Sequence, residues 1–181
     1  MKLKEIEKSV YRKHLNIIIV GFITSLLVLA LAYGQGLIAL FAEPVQTNLA
    51  ANDSTASGTS NFHYNFLGVV LALLSCIVVL HKLRASKFFH EVYYVWQVKQ
   101  QQNAIYRKLK NIKAAAKNDD VNALIILNFY YASLKQVYLL DDNTLTLSKL
   151  NRDISELTTR IEHKKLTITH EQYNQALLAD F

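Results

Sequence analysis

Residues that force a polypeptide to turn are scarce in this sequence. Its 181 residues include five Gly and one Pro, all at or before Gly68, so the last 113 residues contain neither. Because strands joined by tight turns depend on these two residue types, the Gly-free stretch is predicted to be a series of helices. The same absence excludes from that stretch a glycine-rich phosphate loop, a dinucleotide-binding turn and a nucleophile elbow.

Charge is absent from two apolar blocks. Residues 15–42 and 54–81 contain no Asp, Glu, Lys or Arg. A helix needs about 20 predominantly apolar residues to cross a bilayer, so the blocks predict transmembrane helices at 17–41 and 64–83. The first run is longer than the apolar region of a signal peptide, which favours an uncleaved helix. The second run has a shorter solidly apolar part and would also suit an interfacial or soluble helix, but its lack of charge favours a transmembrane helix.

Chemistry-bearing residues are few or poorly spaced. One Cys, Cys76, excludes an intramolecular disulfide and a cysteine metal framework. His163 and His170 are seven residues apart across a predicted helix junction, which favours exposed surface histidines over metal ligands. The acid pairs at 119–120 and 141–142 are interpreted as helix caps rather than cation sites. The sequence therefore predicts no catalytic residue, cofactor or metal, and no enzyme.

The net charge of +6 is unevenly distributed. Residues 1–16 carry +3 and residues 81–117 carry +8, whereas residues 17–80 carry −2 and residues 118–181 carry −3. Basic residues thus flank both apolar blocks and are missing from the loop between them, the asymmetry typical of cytoplasmic flanks. We expect a multi-pass protein of the bacterial inner (plasma) membrane with both termini in the cytoplasm.

Small residues recur at helical spacing inside both predicted spans. Close backbone approach between helices in lipid depends on such residues, so the two stripes are predicted to face each other in an antiparallel hairpin. Gln35, the strongly polar side chain of the first span, is interpreted as an interhelical hydrogen-bonding residue. The predicted packing residues are Gly21, Ser25, Ala32 and Gly36 in the first span and Gly68, Ala72 and Cys76 in the second.

The remaining sequence predicts an all-α protein in which a two-helix transmembrane hairpin continues into a cytoplasmic antiparallel helical bundle or coiled coil. The second span is expected to run directly into the first helix of the bundle. Heptad spacing in the first and third bundle helices predicts seams that seek a partner, and the second is apolar around much of its circumference. The predicted segments are an amphipathic N-terminal segment (1–16), a short non-cytoplasmic loop (42–63) and a cytoplasmic domain (84–181) with helices at about 86–117, 120–140, 146–165 and 170–179.

A basic and aromatic stretch follows the second span. Membrane topology alone accounts for its charge, and it would also attract anionic headgroups. Aromatic rings interleaved with cations are the alternative pattern of a single-stranded nucleic-acid platform. The candidate partner or lipid contacts are Lys82, Arg84, Lys87, Trp96, Arg107, Lys110 and Lys113.

Four strings of the sequence resemble a known family. They are YRKHLN at 11–16, EVYYVWQVKQQQN at 91–103, ALIILNFYY at 123–131 and DDNTLT at 141–146. Together with the paired spans, they resemble an uncharacterised gammaproteobacterial family of two-pass membrane proteins, catalogued as a domain of unknown function. The resemblance implies an inner-membrane location and assigns no activity and no functional residue.

The predicted function is therefore architectural. We expect a membrane-anchored helical scaffold or partner-binding module whose partners are the lipid bilayer and another protein or a second copy, engaged through the heptad helices. A membrane-tethered nucleic-acid-binding protein that uses residues 81–117 is one alternative, although nucleic acid is disfavoured. An accessory subunit of a transporter is the other, and no small-molecule substrate is evident.

Overall fold

The computed structural model describes residues 2–42 and 61–181, and the regular structure of those residues is entirely helical. This confirms the predicted all-α fold class. Two 3₁₀ helices, His170–Gln172 and Gln175–Asp180, follow the last α-helix. The α-helices are α1 (Lys8–Phe41), α2 (Phe62–Leu83), α3 (His90–Lys117), α4 (Val121–Leu140) and α5 (Leu147–His163).

The chain forms two compact units, and their boundary lies inside α1. The bundle unit combines residues 1–15 with residues 87–181, and the hairpin unit comprises residues 16–86. The bundle unit is thus built from two pieces of chain that the hairpin unit separates in sequence. Most of the predicted loop, residues 43–60, lies outside the described residues.

Within the hairpin unit, α1 and α2 pack antiparallel through their backbones. A Cβ atom on Gly68 would lie 2.6 Å from the Gly34 nitrogen and 3.1 Å from the Ala30 carbonyl oxygen. Toward one end of the pair, the Tyr64 hydroxyl donates to the Phe41 carbonyl at 2.9 Å. Such contact is possible because neither helix carries a side chain at its closest point.

The predicted small-residue stripe on α1 is corrected by this packing. A Cβ on Gly21 or Gly36 would meet nothing within 4 Å, and Ala32 is exposed. Ser25 lies at the edge of the contact, with its Oγ 3.9 Å from Cys76 Sγ. The contact centres on Gly34 instead, because closest approach requires glycine on both helices and Gly68 supplies the other.

On α2 the buried residues are Gly68, Ala72 and Cys76, all of which belong to the predicted stripe. Gln35 is exposed on α1 and does not lie in the contact with α2. Polar side chains that do lie there include Asn65, whose Oδ1 would be 2.9 Å from a Cβ placed on Gly34, and Tyr33, whose hydroxyl lies 3.1 Å from Ser75 Oγ. Asn65 was not identified from the sequence, because an isolated amide near the start of a helix has no distinguishing pattern.

In the bundle unit, α4 packs against both α3 and α5, and the 3₁₀ helices also contact it. Its wide apolar circumference suits this central position. The Phe129 ring stacks on Tyr173 with centroids 4.1 Å apart, which fixes the C-terminal segment to the core. The largest fully buried side chains are those of Val98, Ile105, Ile112, Leu124, Ile126 and Phe129.

The heptad seams of α3 and α5 are covered within the chain. Ile105 and Ile112 of α3 and Leu150 and Leu157 of α5 are buried in one core cluster with α4. The interpretation that these seams await a partner is therefore corrected. The apolar faces of α3 and α5 are used to hold α4.

Three predicted element boundaries differ from the structure. Residues 2–7 are not helical, and α1 begins at Lys8. The second span does not run into α3: α2 ends at Leu83, where the Ser86 N–H bonds to the Leu83 carbonyl at 2.9 Å. The predicted helix at 170–179 is two 3₁₀ helices, since the backbone is extended at Tyr173, whose ring is buried, and at Asn174, which caps the second of them.

The bundle turns without glycine. The residues after the C-caps of α3, α4 and α5 are Asp119, Asp142 and Lys165, with φ of 62°, 57° and 53°. After each of them, the backbone N–H of the next residue donates a hydrogen bond to the carbonyl oxygen five residues earlier. Leu166, for example, donates to Ile161 at 3.1 Å. These are the hydrogen bonds of a Schellman motif, usually formed around a left-handed glycine. Non-glycine residues adopt the left-handed conformation here, so helices can end in a segment that has no Gly.

Candidate functional site

The apolar surface of the hairpin unit is its most prominent chemical feature. Leu31 is 66% exposed and Leu40 is 77% exposed, and most other large apolar side chains of α1 and α2 are exposed as well. By length and composition, α1, α2 and α4 are each able to cross a membrane. They differ in burial. In α4, 56% of an apolar 18-residue stretch is buried, whereas the corresponding share is 0% in α1 and 17% in α2.

An ion-pair cluster at the end of α4 binds the N-terminal segment inside the bundle unit. Asp142 pairs with Lys8 and Arg12. Its neighbour Asp141 accepts a hydrogen bond from the Tyr11 hydroxyl at 3.2 Å and pairs with Lys99 of α3 at 2.8 Å. Asp141 is the C-cap residue of α4, but α5 begins after Thr146 rather than after this acid pair. The side chains of the pair instead fasten residues 8–12 to α3 and α4.

Buried contacts accompany these charges. Tyr11 is 2% exposed and belongs to a core cluster with Tyr94, Val98 and Val137. The backbone N–H of Lys4 donates to the Tyr94 hydroxyl at 2.7 Å. The N-terminal residues thus complete part of the core. Sequence reasoning missed Tyr11 and Lys99, because their partners are distant in sequence and leave no local pattern.

His14 and Glu91 form a second polar contact in the same unit. His14 Nδ1 lies 3.5 Å from Glu91 Oε2, and the His14 ring lies 4.3 Å from the Phe88 ring. The cluster at Asp141 and Asp142 and this pair bring together residues from three of the four strings that carry the family resemblance. Those strings therefore encode the attachment of the N-terminus to the bundle.

In the other acid pair, Asp120 is a helix cap as predicted, whereas Asp119 forms ion pairs. Asp120 accepts a hydrogen bond from the Ala123 N–H at 2.8 Å and begins α4. Asp119 pairs with Lys164 at 2.7 Å and with Arg160 at 3.4 Å. The hydrogen bond from Lys164 and the charge of Arg160 hold the pKa of Asp119 below its usual value. Residues 2–42 and 61–181 contain no group of three or more His, Cys, Asp or Glu side chains able to hold a metal ion.

The predicted partner or lipid contacts are divided between the units. Lys82 and Arg84 are exposed in the hairpin unit, and Lys87 is exposed in the bundle unit. The others lie on α3 and share one exposed side of that helix with Tyr106 and Lys117. We call this surface the basic face of α3; it consists of Trp96, Tyr106, Arg107, Lys110, Lys113 and Lys117.

The basic face combines exposed rings with exposed cations. Trp96 is 52% exposed and Tyr106 is 67% exposed. Tyr93 stacks on Trp96 with centroids 5.6 Å apart and an interplanar angle of 16°. Lys113 lies at the edge of the face, with its Nζ 5.9 Å from the Tyr131 ring centroid. Such a surface suits an anionic partner.

Residues 1–178 match the family described as "Protein of unknown function (DUF3087)". The chain matches no curated protein and no solved structure. The match covers both units, including the N-terminal residues that dock on the bundle. The chain therefore belongs to the DUF3087 family of proteins of unknown function.

Proposed function

We propose that this chain is a bacterial inner-membrane protein in which a two-span hairpin anchors a cytoplasmic helical scaffold. In this proposal α1 and α2 cross the bilayer, and the bundle unit is the part that meets partners. In this proposal α4 is not a third transmembrane helix, because moving it out of the bundle core into lipid would be unfavourable.

One observation carries the two-span topology. Residues 1–15 and 87–181 belong to the same compact unit, joined by the contacts of Tyr11 and Asp142 described above. Both pieces must then lie on the same side of a membrane. The intervening residues 16–86 contain two apolar helices, and an even number of crossings returns the chain to the side on which it started.

The burial of α4 supports its place in the bundle. Leu124, Ile126 and Phe129 have no exposed surface. Withdrawing such side chains from a protein core into lipid would exchange tight packing for looser contacts, and it would open cavities against α3 and α5.

Charge supports the orientation. The strongly basic segments 1–16 and 81–117 flank the two apolar helices on the side where the bundle unit lies in this proposal. The loop between the helices contains two acids and no Lys or Arg. This arrangement favours a cytoplasmic bundle.

Cysteine accessibility tests the topology. In a Cys76→Ala background, single cysteines replace Lys13, Ser57, Asn118 and Lys149, and a membrane-impermeant maleimide is applied to spheroplasts. We expect labelling at position 57 alone, with the other three positions reacting only after the membrane is opened. Labelling of position 149 but not 118 in closed spheroplasts would contradict the proposal, because it would mean that α4 crosses the membrane.

A further inference from the structure

We infer that the basic face of α3 binds the anionic phospholipid headgroups of the membrane that holds the hairpin. This inference rests on the proposed function, because it takes a bilayer to be present beside the protein. It adds a second, electrostatic attachment to the hydrophobic one. The bundle would then lie against the membrane through α3.

The charged side chains that α3 contributes to the face are all of one sign. Its cations extend from Arg107 to Lys117, about 15 Å along the helix at 1.5 Å per residue, and Trp96 lies about 17 Å beyond Arg107. α3 contains one acidic residue, Glu91, and that side chain lies against His14 rather than on the face. A linear array of cations on a helix that adds no acid to the same face matches a planar anionic surface better than a mixed-charge protein surface.

The central cations have no partner within the described chain. Residues 2–42 and 61–181 provide no ion pair to Arg107 or Lys110, both of which are exposed. By contrast, Lys99 is bound to Asp141, and Lys108 donates to the Leu178 carbonyl at 2.7 Å. Arg107 and Lys110 are therefore available to an external anion.

Acidic side chains approach one border of the face. Lys113 and Lys117 line an open cleft together with Asp153 and Glu156 of α5. Arg107 and Lys110 do not line this cleft and lie between it and the aromatic end of the face. The test below changes these two residues.

The aromatic residues favour lipid over nucleic acid. Trp and Tyr are enriched at the headgroup level of membranes, where an amphipathic ring suits both environments. A nucleic-acid platform instead needs free ring faces on which bases stack. Tyr93 stacks nearly parallel on Trp96, at 16°, and so covers one face of the indole.

The chain permits the contact. Residues 84–89 join the end of α2 to the start of α3, and six residues span at most about 20 Å. The start of α3 therefore remains within that distance of the end of a membrane-spanning helix. Lys82, Arg84 and Lys87 add further cations to the same stretch of chain.

Trp96 is the only tryptophan of the protein, so its fluorescence reports on this face without a label. The full chain is reconstituted into nanodiscs of phosphatidylcholine alone or with 30% phosphatidylglycerol. We expect a blue-shifted Trp96 emission and stronger quenching by brominated acyl chains in the anionic discs. High salt should reverse both effects, because it screens charges at a surface.

Two matched double variants locate the contact. Arg107→Gln with Lys110→Gln removes the central cations, whereas Lys135→Gln with Lys149→Gln removes the same charge from α4 and α5. Each cation at an anionic surface favours the bound state about fivefold, so the first variant should shift the equilibrium roughly 25-fold toward release. The second variant should behave as the wild type.

Three results would overturn the inference. They are Trp96 emission that is identical in the two kinds of disc, anionic-disc effects that persist in R107Q/K110Q, and emission that responds to single-stranded RNA oligonucleotide but not to lipid charge. Failure of the anchor is distinguished by flotation, because a chain without transmembrane helices would not enter the discs. Insertion without a change at Trp96 contradicts this inference and leaves the anchor intact.

Discussion

At the residue scale, three helices of the bundle end without glycine, because the residues that follow their C-caps carry a Cβ and still adopt the left-handed conformation. Such a residue costs about 1–2 kcal/mol relative to its right-handed conformation. Asp119 and Asp142 offset part of that cost through ion pairs with lysine and arginine side chains. Lys165 (φ 53°) has no ion pair within residues 2–42 and 61–181, so its strain is the least compensated of the three.

Replacement of Lys165 by Gly should therefore stabilise the bundle. Glycine relieves the left-handed strain, but its greater conformational freedom in the unfolded chain offsets part of that gain. The free energy of unfolding should therefore rise by up to about 1 kcal/mol. Urea unfolding of the full chain in detergent, followed by Trp96 fluorescence, measures it. Lys165→Ala serves as the control, since Ala keeps the Cβ, and an equal gain in that variant would show that strain is not the cause.

Tyr173 makes the bundle sensitive to alkali. Burial raises the pKa of Tyr173 to about 12, whereas an unfolded tyrosine titrates near 10. The folded state holds the proton more tightly, so the stabilising contribution is complete below pH 10 and disappears as the pH rises from about 10 to 12.

The effect of Tyr173→Phe on stability should depend on pH. At pH 7 the variant loses the hydrogen bond to Gln101, 3.2 Å long, and should be about 1 kcal/mol less stable. Between pH 10 and 12 the deficit should shrink, because Phe cannot ionise. Denaturant midpoints measured from pH 7 to 12 test this, with exposed Tyr106→Phe as the control; a deficit that is constant across pH would contradict it.

At the element scale, the helix pair of the hairpin unit depends on one point of backbone contact, between Gly34 and Gly68. A side chain at 68 must push the helices apart, since its Cβ alone would lie 2.6 Å from a backbone nitrogen. Other small residues of α1 have no such constraint. Packing in this unit is therefore controlled by a few positions rather than by the whole small-residue stripe.

Disulfide trapping provides a test of that contact. Ser25→Cys introduces a thiol next to Cys76, because Ser25 Oγ lies 3.9 Å from Cys76 Sγ, and copper phenanthroline should join the two cysteines rapidly. Adding Gly68→Leu should slow this oxidation several-fold, since small residues permit close helix approach. Gly21→Leu is the matched control, as nothing lies within 4 Å of its Cβ; equal slowing by both would refute the Gly34–Gly68 contact.

At the scale of the whole molecule, the number of membrane crossings depends on whether α4 is a bundle helix or a transmembrane helix. Its composition alone would allow it to cross a membrane, and its burial supports the proposed place of α4 in the bundle. A membrane-facing phenylalanine is tolerant of truncation, whereas a core phenylalanine is not. The identity of this one helix sets the number of crossings.

Phe129→Ala should accordingly destabilise the bundle by about 3–5 kcal/mol, because Phe129 is fully buried and stacked on Tyr173 at 4.1 Å. Limited proteolysis of the full chain in detergent, under increasing urea, measures the loss. Leu139→Ala, at an exposed position of the same helix, should have little effect. Equal resistance of the two variants would contradict burial of this face of α4.

The sequence predicted those parts of the structure that local patterns encode. Apolar periodicity located α3, α4 and α5, and Asp120 marked the start of α4 because capping is a local hydrogen bond. Gly34 was missed because both Gly34 and Gly36 are small, and only the partner helix distinguishes them. The attachment of Tyr11 to Asp141 was missed because a contact across 130 residues has no period to detect.

That separation has a consequence for biosynthesis. At translation rates of about 5–20 residues per second, Tyr11 leaves the ribosome on the order of ten seconds before Asp141 exists. In the proposed topology, the hairpin helices can enter the membrane during this interval, while the N-terminal segment has no partner. Completion of the bundle core then comes late in synthesis, and a nascent chain that stalls before residue 141 would leave Tyr11 unprotected from proteolysis.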